Sequence, residues 1–388
     1  MWDFRQLRWL NIMGWWPSAC KTTFGYRISR VIGLTFYISN IIQLGFELVN
    51  LFQQISIGSL KGTILNLTTT LMGILTTLKV FVILVYAKDI QDTIAKFEEI
   101  ENKVRKVLPK EIVEEINVRN TFFSKWGSNV ANLMMVFTTH WLVRPLIFLT
   151  QGERVLIIET WVPFGLEQDL RGWWVAWLVQ TTHIFTAMYG FFMFDSIGYS
   201  FLESLHMVIE YLKESLSRLD FSAPGVDHHS PLTLRFCVEL HKEIIRQKEK
   251  LNSLFGHNIL IQTISSTFVF CLSVFELSSI EGTTLVKIMN LVELILIIGY
   301  STFLYSYLCQ QVADENVRVM QAAYANNWYR GNEKDKQSLF LLIEAWKKEL
   351  KFGYIVQSNL QTFIATLKSS FTYFNFLQAI SEGELVSS

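Results

Sequence analysis

The sequence has little charge, little proline and little cysteine for its length. Of its 388 residues, 18% are charged, 6 are proline and 4 are cysteine. Soluble proteins are usually about one quarter charged, so this composition is too apolar for an ordinary soluble domain. The four cysteines are too few and too scattered for a disulfide framework. Basic and acidic residues balance at 34 each, which argues against a nucleic-acid-binding protein, because phosphate recognition needs a basic face.

The sequence also lacks the motifs of common enzymes and metal sites. It contains no HExxH, GxSxG, GxxxxGK[ST] or paired CxxC, and none of its seven histidines has a second ligand at zinc-like spacing. A membrane acyltransferase can act through a single intramembrane histidine, for which His183 is the candidate. We favour the simpler interpretation that His183 is hydrogen-bonded within a helix bundle. The sequence therefore predicts a protein that is not an enzyme and needs no cofactor or metal.

The sequence does contain long apolar runs. Hydrophobic residues make up 51% of the chain and aromatic residues 14%. A helix that crosses a bilayer needs about 20 mostly apolar residues. Seven segments meet this requirement, and they predict an all-α membrane protein with transmembrane helices at residues 28–52, 60–87, 127–150, 172–199, 254–279, 284–312 and 358–380.

The connections after the even-numbered spans are long and carry helical patterns of their own. They cover residues 88–126, 200–253 and 313–357. The charged stretch 241–251 is typical of the solvated start of a helix that runs into the fifth span, although such stretches can also belong to a bundle of helical extensions. In the last connection, apolar residues at helical spacing predict one buried helix face, formed by Leu339, Leu342, Ile343, Trp346 and Leu350.

The distribution of basic residues predicts the orientation in the membrane. Of the 34 Lys and Arg residues, 27 lie in the N-terminal 30 residues or in the three long connections, and 4 lie on the opposite side. Lys and Arg accumulate on the cytoplasmic side of membrane proteins. We therefore expect a cytoplasmic N-terminus and an extracellular C-terminus, which is the reverse of a G-protein-coupled receptor.

Several ionisable residues lie within the predicted spans, where an unpaired charge is costly. Lys79, Arg144 and Asp195 are near span ends, so we expect them to reach the interface by snorkelling. Glu293 and Lys368 lie deeper, and for these we favour a structural partner over a proton relay. Asn66 begins a glycosylation sequon inside the second span, and we interpret this match as chance.

The last span carries a polar stripe at helical spacing. Residues spaced by three and four share one face of a helix. Hydroxyl groups on such a face can hold helices together. Alternatively, they can form a pore wall that is closed by an apolar constriction. The stripe consists of Thr362, Thr366, Ser369, Tyr373, Phe376 and Ile380.

The C-terminal segment 358–377 resembles the signature of insect odorant receptors. In that family the last helix typically carries a phenylalanine, a Leu-Lys pair, a serine and closely spaced aromatic residues. The segment 161–180 is also similar to the family's entry into its fourth span. The matching residues of the C-terminal segment are Phe363, Leu367, Lys368, Ser370, Phe371, Tyr373 and Phe374.

This resemblance implies a subunit of a tetrameric, ligand-gated, non-selective cation channel in the plasma membrane of olfactory sensory neurons. Its partners are then coreceptor subunits, a small volatile odorant and membrane lipid, with no nucleic acid. The bulky Phe376 and the absence of the coreceptor's long inner-loop insertion favour a tuning subunit. The implied division is a cytoplasmic segment 1–27, spans one to six with their cytoplasmic helical extensions over 28–312, an anchor segment 313–357, a pore helix 358–380 and an extracellular tail 381–388.

The resemblance also implies site residues. The pore positions are Thr366, Ser369, Tyr373, Phe376 and Ile380, with the gate at the last two. The odorant pocket is expected in the outer half of the membrane domain, among spans two, three, four and six. Its candidate residues are Thr69, Met72, Thr139, His140, Leu142, Trp177, Thr181, Ile184, Met289 and Val292.

Three other functions fit parts of the sequence. A gustatory-type receptor would differ in its ligand and in its independence from a coreceptor. A non-channel seven-helix receptor of the G-protein-coupled class is opposed by the distribution of Lys and Arg. A membrane enzyme would lose turnover when His183 is replaced.

Overall fold

The computed structural model describes residues 14–15, 23–120, 136, 138–221, 232–278, 285–347, 350–353 and 356–387. These residues form helices and connections, with no strand among them. Two short 3-10 helices cover Pro163–Gln168 and Trp328–Arg330. The α-helices are α1 (Thr23–Ile57), α2 (Leu60–Val104), α3 (Lys110–Asn120), α4 (138–150), α5 (Leu170–Ser217), α6 (Leu234–Ser278), α7 (Leu285–Ala325), α8 (Glu333–Trp346) and α9 (Leu360–Ser387).

Four of these helices are long and apolar enough to cross a membrane, as judged from length and composition over the described residues. They are Arg27–Ile57, Gly62–Val104, Leu234–Ser278 and Leu291–Ala325, and they contain all of the predicted span one and most of spans two, five and six. The predicted spans four and seven lie in α5 and α9. The first part of the predicted third span, residues 127–135, lies outside the described residues.

Four helices continue far beyond the length that a bilayer requires. Helices α2 and α6 have 45 residues each, α5 has 48 and α7 has 41. At 1.5 Å per residue such helices are about 60–70 Å long, roughly twice the thickness of a hydrocarbon core. Their extensions pack together with α3 and α8, and we call residues 88–120, 200–221, 232–253 and 313–346 the extension bundle.

The extension bundle has an apolar core of its own. Phe97 of α2 packs against Phe201 of α5, with ring centroids 6.0 Å apart. In the charged stretch 241–251, His241 lies against Trp346, and Ile244 and Leu251 are buried, while most of the charged side chains stay at the surface. The stretch therefore has one solvated face and one face that belongs to the bundle.

Helix α8 confirms the predicted helix in the last connection. The side chain of Asn332 caps its start by accepting a 2.8 Å hydrogen bond from the backbone N–H of Asp335. The predicted face is buried at Leu339, Leu342 and Trp346. The helix ends at Trp346, so Leu350 lies beyond it, although Leu350 is also buried.

Helix α5 is the central helix and packs on α2, α6 and α7. Two glycines allow this close packing. A Cβ atom on Gly198 would lie 2.5 Å from the hydroxyl of Tyr305, and one on Gly190 would lie 2.3 Å from Val80. Real Cβ atoms do not approach other atoms so closely, so the absence of a side chain at these positions lets α5 approach α7 and α2.

Candidate ligand pocket, buried polar clusters and pore helix

Lys79 and Asp195 form a buried ion pair between α2 and α5. Their charged atoms are 2.7 Å apart, and their side chains are 1% and 2% exposed. The expectation that these two residues snorkel to an interface is therefore wrong. Both helices run on past the predicted span ends into the extension bundle, which leaves Lys79 and Asp195 inside the protein, where each satisfies the other's charge.

Hydrogen bonds from α7 complete the surroundings of Asp195. Ser301 donates to Oδ2 at 2.5 Å, and the hydroxyl of Tyr305 donates to Oδ1 at 3.2 Å. The ammonium of Lys79 also lies 3.4 Å from the centre of the Phe191 ring. A buried ion pair is stable only when its remaining hydrogen-bonding capacity is used. This arrangement meets that condition and ties α2, α5 and α7 together.

The candidate pocket residues lie on four helices, α2, α4, α5 and α7, at the end of the molecule away from the extension bundle. Trp177 of α5 donates a 3.4 Å hydrogen bond from its indole nitrogen to the carbonyl of Leu142 on α4. Met72 packs on an apolar cluster that includes Leu75 and Phe191. Ile184 is buried, and Thr69, Met72, His140, Leu142, Trp177 and Thr181 are half-buried, whereas Thr139, Met289 and Val292 are exposed in the single chain.

A polar group joins α4 to α7 beside these residues. The indole of Trp141 donates a 2.8 Å hydrogen bond to Oε2 of Glu293. His140 Nδ1 lies 2.9 Å from Oε1 of the same carboxylate, an ion-pair distance without the alignment of a hydrogen bond. Glu293 thus has the structural partners that we expected for it, whereas Lys368 is exposed. Trp141 was not among the predicted pocket residues. Its partner Glu293 directly follows the pocket candidate Val292.

Helix α1 buries polar residues and exposes apolar ones. Asn40, Gln43 and Glu47 are spaced by three and four and are buried, while the intervening isoleucines Ile41 and Ile42 are exposed. The polar face lies against α5, where Thr186 donates a 3.4 Å hydrogen bond to Asn40 Oδ1. Sequence reasoning missed this face, although polar residues at helical spacing within a span were the available signal.

His183 and Asn66 are both buried in the helix bundle. His183 is buried in the interior of the bundle, as expected, but its Nε2 lies 3.7 Å from Oε1 of Glu47, which is longer than the hydrogen bond that the simpler interpretation predicts. The side-chain nitrogen of Asn66 donates a 2.8 Å hydrogen bond to the carbonyl of Gly62 one turn earlier. This buried position in a helix supports the interpretation of the sequon as a chance match.

Helix α9 packs on α6 and α7 through one narrow face. Ser370 donates a 2.9 Å hydrogen bond to the carbonyl of Thr267, and Phe374 and Leu377 pack on an apolar cluster that contains Phe275. Thr366 is buried at the edge of this face. The other pore candidates, Ser369, Tyr373, Phe376 and Ile380, are exposed in the single chain.

The extension bundle contains a fully buried carboxylate, Glu315. Lys213 lies 3.1 Å from its Oε2, and Arg318 and His206 lie 2.6 and 3.6 Å from its Oε1. Burial alone would raise the pKa of Glu315, but the polar contacts with His206 and Lys213 outweigh burial and lower the pKa to about 2. The carboxylate is therefore charged at neutral pH, and it links α5 to α7 within the bundle.

Solved structures and curated relatives resemble the chain. The insect olfactory receptor OR5 from Machilis hrabei, solved in complex with eugenol, superposes with a TM-score of 0.83 at 15% identity and covers 97% of both chains. Odorant receptor Or1 of Anopheles gambiae is 19% identical over 267 residues, which is 62% of this chain and 63% of the relative. The odorant receptor coreceptor of Harpegnathos saltator is 23% identical over 146 residues, which is 37% of this chain and 30% of the relative.

The alignments to these two curated relatives each span less than two thirds of the relative's length. The structural likeness, at its low identity, establishes the fold. The sequence model of the 7tm odorant receptor family matches residues 59–371, which is most of the chain. This chain, a helical multi-pass membrane protein, therefore belongs to the insect odorant receptor family.

Proposed function

We propose that this chain is the odorant-sensing tuning subunit of a heteromeric, ligand-gated, non-selective cation channel. It binds a small volatile molecule in the outer half of its membrane domain and opens a central pore. It acts in the plasma membrane of olfactory sensory neurons, in a heterotetramer with coreceptor subunits. Family membership supports the receptor function, and the exposed face of α9 is the observation that carries the channel function.

The exposed face of α9 combines hydroxyl and aromatic side chains along a helix that the other described helices cover on one side only. Ser369, Tyr373, Phe376 and Ile380 lie on this face. A hydroxyl group gains nothing from contact with lipid tails, because it finds no hydrogen-bond partner there. Water in a pore, or the same helix of a neighbouring subunit, supplies such partners. We therefore place this face at the central axis of the assembly.

The two outermost positions of this face suit a gate. Phe376 and Ile380 are apolar and follow the hydroxyl groups of Ser369 and Tyr373 along the helix. A narrow ring of apolar side chains empties of water and blocks ions, and widening the ring lets water and ions return. In a tetramer, four copies of these positions, contributed by this chain and its partners, form such a ring.

The candidate pocket combines an apolar wall with one polar group. Met72, Leu142 and Ile184 contribute to the wall, and the cluster of Glu293 with Trp141 and His140 supplies directional hydrogen bonding. A ligand of about ten heavy atoms that gains about 0.3–1.5 kcal/mol per atom can reach micromolar affinity. The eugenol complex of the Machilis hrabei receptor, which shares the fold, supports a small organic ligand here.

Apolar side chains at the surface of the extension bundle support assembly through this region. Val317 and Tyr324 of α7 and Phe340 and Leu341 of α8 are exposed in the single chain. These positions lie beyond the predicted spans, and contact with other subunits would cover their apolar surface. We therefore propose that the extension bundle is the cytoplasmic anchor through which the heterotetramer forms.

Gating requires that the ligand bind the open arrangement more tightly than the closed one. The test is whole-cell current in cells that express the chain with and without an insect coreceptor, challenged with a panel of volatile molecules. We expect odorant-evoked cation current only when both subunits are present. A response that persists without permeant cations and requires a G protein would contradict the channel function.

Phe376→Ala tests the gate, and Phe371→Ala is its matched control. Both phenylalanines lie on α9 and are 62% exposed in the single chain, but only Phe376 lies on the proposed pore face. We expect Phe376→Ala to raise the basal current or change the ion selectivity, because it removes the aromatic side chain that this chain contributes to the constriction. Phe371→Ala should leave both properties unchanged. Equal behaviour of the two variants at equal surface expression would overturn the gate assignment.

A further inference from the structure

Glu47 is a buried carboxylate whose surroundings in the chain are incomplete. It lies on the polar face of α1, and its side chain is 2% exposed. Asp195, buried to the same degree, has a lysine, a serine and a tyrosine as partners. Glu47 has only His183, at 3.7 Å, and its Oε2 has no hydrogen-bond partner in the described part of the chain. A buried carboxyl group keeps a negative charge only when a cation or hydrogen-bond donors stabilise that charge.

Other buried polar atoms on the three helices that meet at Glu47 also have no hydrogen-bond partner among the described residues. They are Nε2 of Gln43, one turn before Glu47 on α1, Oγ1 of Thr70 on α2, and Nδ1 of His183 on α5. All three side chains are more than nine-tenths buried. Gly73, one turn after Thr70, brings α2 to this face, because a Cβ atom there would lie 2.9 Å from Oε2 of Glu47. We call Gln43, Glu47, Thr70 and His183 the α1 polar cluster.

The chemistry of the cluster favours one class of ligand. Oε2 of Glu47, Oγ1 of Thr70 and the deprotonated nitrogen of a neutral histidine are three acceptors, and a primary ammonium group has three N–H donors. The positive charge of the ammonium also neutralises the carboxylate, which an alcohol does not. The Gln43 amide can turn to present its oxygen as a fourth acceptor. Leu44 reaches within 3.2 Å of the Gly73 Cβ position and provides an apolar border for a short alkyl chain.

A metal ion suits the cluster less well. Alkali and alkaline-earth ions prefer a shell of about six oxygen ligands, whereas the cluster has three side chains that can offer oxygen, and the fourth, His183, offers nitrogen. Over the described residues, no group of three His, Cys, Asp or Glu side chains is placed to hold a metal ion. A cation that brings its own hydrogen-bond donors therefore fits better than a bare ion.

We propose that the α1 polar cluster binds the primary ammonium group of a small amine. This site goes beyond the proposed odorant pocket. It uses α1, and its only acidic residue is Glu47, whereas the acidic residue of the candidate pocket is Glu293 on α7. Binding is measured directly and not through channel current, so the result does not depend on whether the chain forms a channel.

The experiment measures equilibrium binding of radiolabelled n-butylamine to the full chain in phosphatidylcholine nanodiscs at pH 7. We expect saturable binding that unlabelled butylamine displaces and that equal concentrations of 1-butanol or NaCl do not. Glu47→Gln, which keeps the shape and removes the charge, should weaken binding at least tenfold. Gly73→Ala, which keeps the charge but pushes a methyl group against the carboxylate, should also weaken it. Glu153→Gln, at an exposed position, is the control and should bind as the wild type does.

Four outcomes would overturn the proposal. These are the absence of saturable binding to the wild type, displacement by 1-butanol as strong as by butylamine, unchanged affinity in Glu47→Gln, and loss of binding in Glu293→Gln while Glu47→Gln still binds. The last outcome would place the ammonium in the candidate pocket. If Glu47→Gln does not fold, as judged by its elution as a single species, Gly73→Ala carries the test, and unchanged affinity in that variant overturns the proposal.

Discussion

Asp195 and Glu315 are both buried carboxylates that pair with a lysine, yet they lie in regions with different access to water. The partner of Asp195, Lys79, is 1% exposed. The partners of Glu315 reach the surface, because Lys213 is 25% exposed and Arg318 is 61% exposed. Within the membrane region a charge depends on the partners that the chain provides, whereas in the extension bundle water can replace a lost partner. Loss of one partner should therefore destabilise the protein more at Asp195 than at Glu315.

The largest expected effect is that of breaking the pair at Asp195. Lys79→Met leaves a buried carboxylate without a counter-charge, and we expect a loss of about 3–5 kcal/mol in the free energy of unfolding. The measurement is the unfolding midpoint of the purified chain in detergent. The double variant Lys79→Met with Asp195→Leu removes both charges and should recover much of the loss. A double variant that is less stable than the single one would contradict a role of unpaired charge.

A smaller loss is expected from Gly198→Ala. The added methyl group displaces the Tyr305 hydroxyl, which donates to Asp195, so both packing and hydrogen bonding are disturbed. Overpacking of this kind costs about 1–3 kcal/mol. Gly45→Ala is the matched control, because a Cβ atom there meets nothing within 4 Å. That control should be neutral or stabilising by up to about 1 kcal/mol in thermal unfolding, since alanine favours helix over glycine.

In the extension bundle we expect Glu315→Gln to lower the free energy of unfolding by about 1–2 kcal/mol at pH 7, since its former partners can turn to water. The pKa of Glu315 is lowered from 4.5 to about 2, so its contribution to stability is complete above pH 4.5 and is lost as the pH falls towards 2. Unfolding curves between pH 6 and pH 3 should show the difference between wild type and variant shrinking with falling pH. A difference that stays constant would contradict the proposed charge interaction.

The smallest effect is expected at an exposed pair of α8. Lys336 lies 2.9 Å from Glu333, whose side chain is 81% exposed. Lys336→Ala should change the free energy of unfolding by less than about 0.5 kcal/mol, because water screens such pairs. Denaturant unfolding of this variant beside Glu315→Gln tests whether burial sets the size of the effect. If Lys336→Ala lowered the free energy of unfolding as much as Glu315→Gln does, burial would not set the size of the effect.

Local patterns were enough to predict some of these features. The spacing of Leu339, Leu342 and Trp346 predicts the buried face of α8, because that face depends on the period of one helix. The paired state of Lys79 and Asp195 could not be predicted in this way. The two residues are 116 positions apart in the chain, and only the packing of α2 against α5 brings them together. Snorkelling was inferred from span ends that the continuous helices do not have.

In the candidate site, too, local patterns predict some features, whereas others depend on the packing of the helices. The polar stripe of α9 follows from spacing, but the face that packs on α6 is centred near Ser370, beside the stripe, because it depends on the shape of the neighbouring helix. Glu293 was recognisable as a buried charge, whereas its partner Trp141 was not, since an indole in an apolar run carries no local sign of its role. Glu47 was detectable from its spacing to Gln43, yet its relation to His183 needs the fold.

The unbroken length of α5 has a mechanical consequence. Asp195 ties this helix to its neighbours about 27 Å from Trp177 at the pocket end and about 33 Å from Ser217 in the extension bundle, at 1.5 Å per residue. If α5 is rigid and is held near its middle at Asp195, it can tilt about that point, with helix segments of similar length on either side. A tilt that moves the pocket end in one direction moves the other end by a similar amount in the opposite direction. If the proposed pocket moves on binding, we therefore expect the movement to reach the extension bundle without any change in the helix itself.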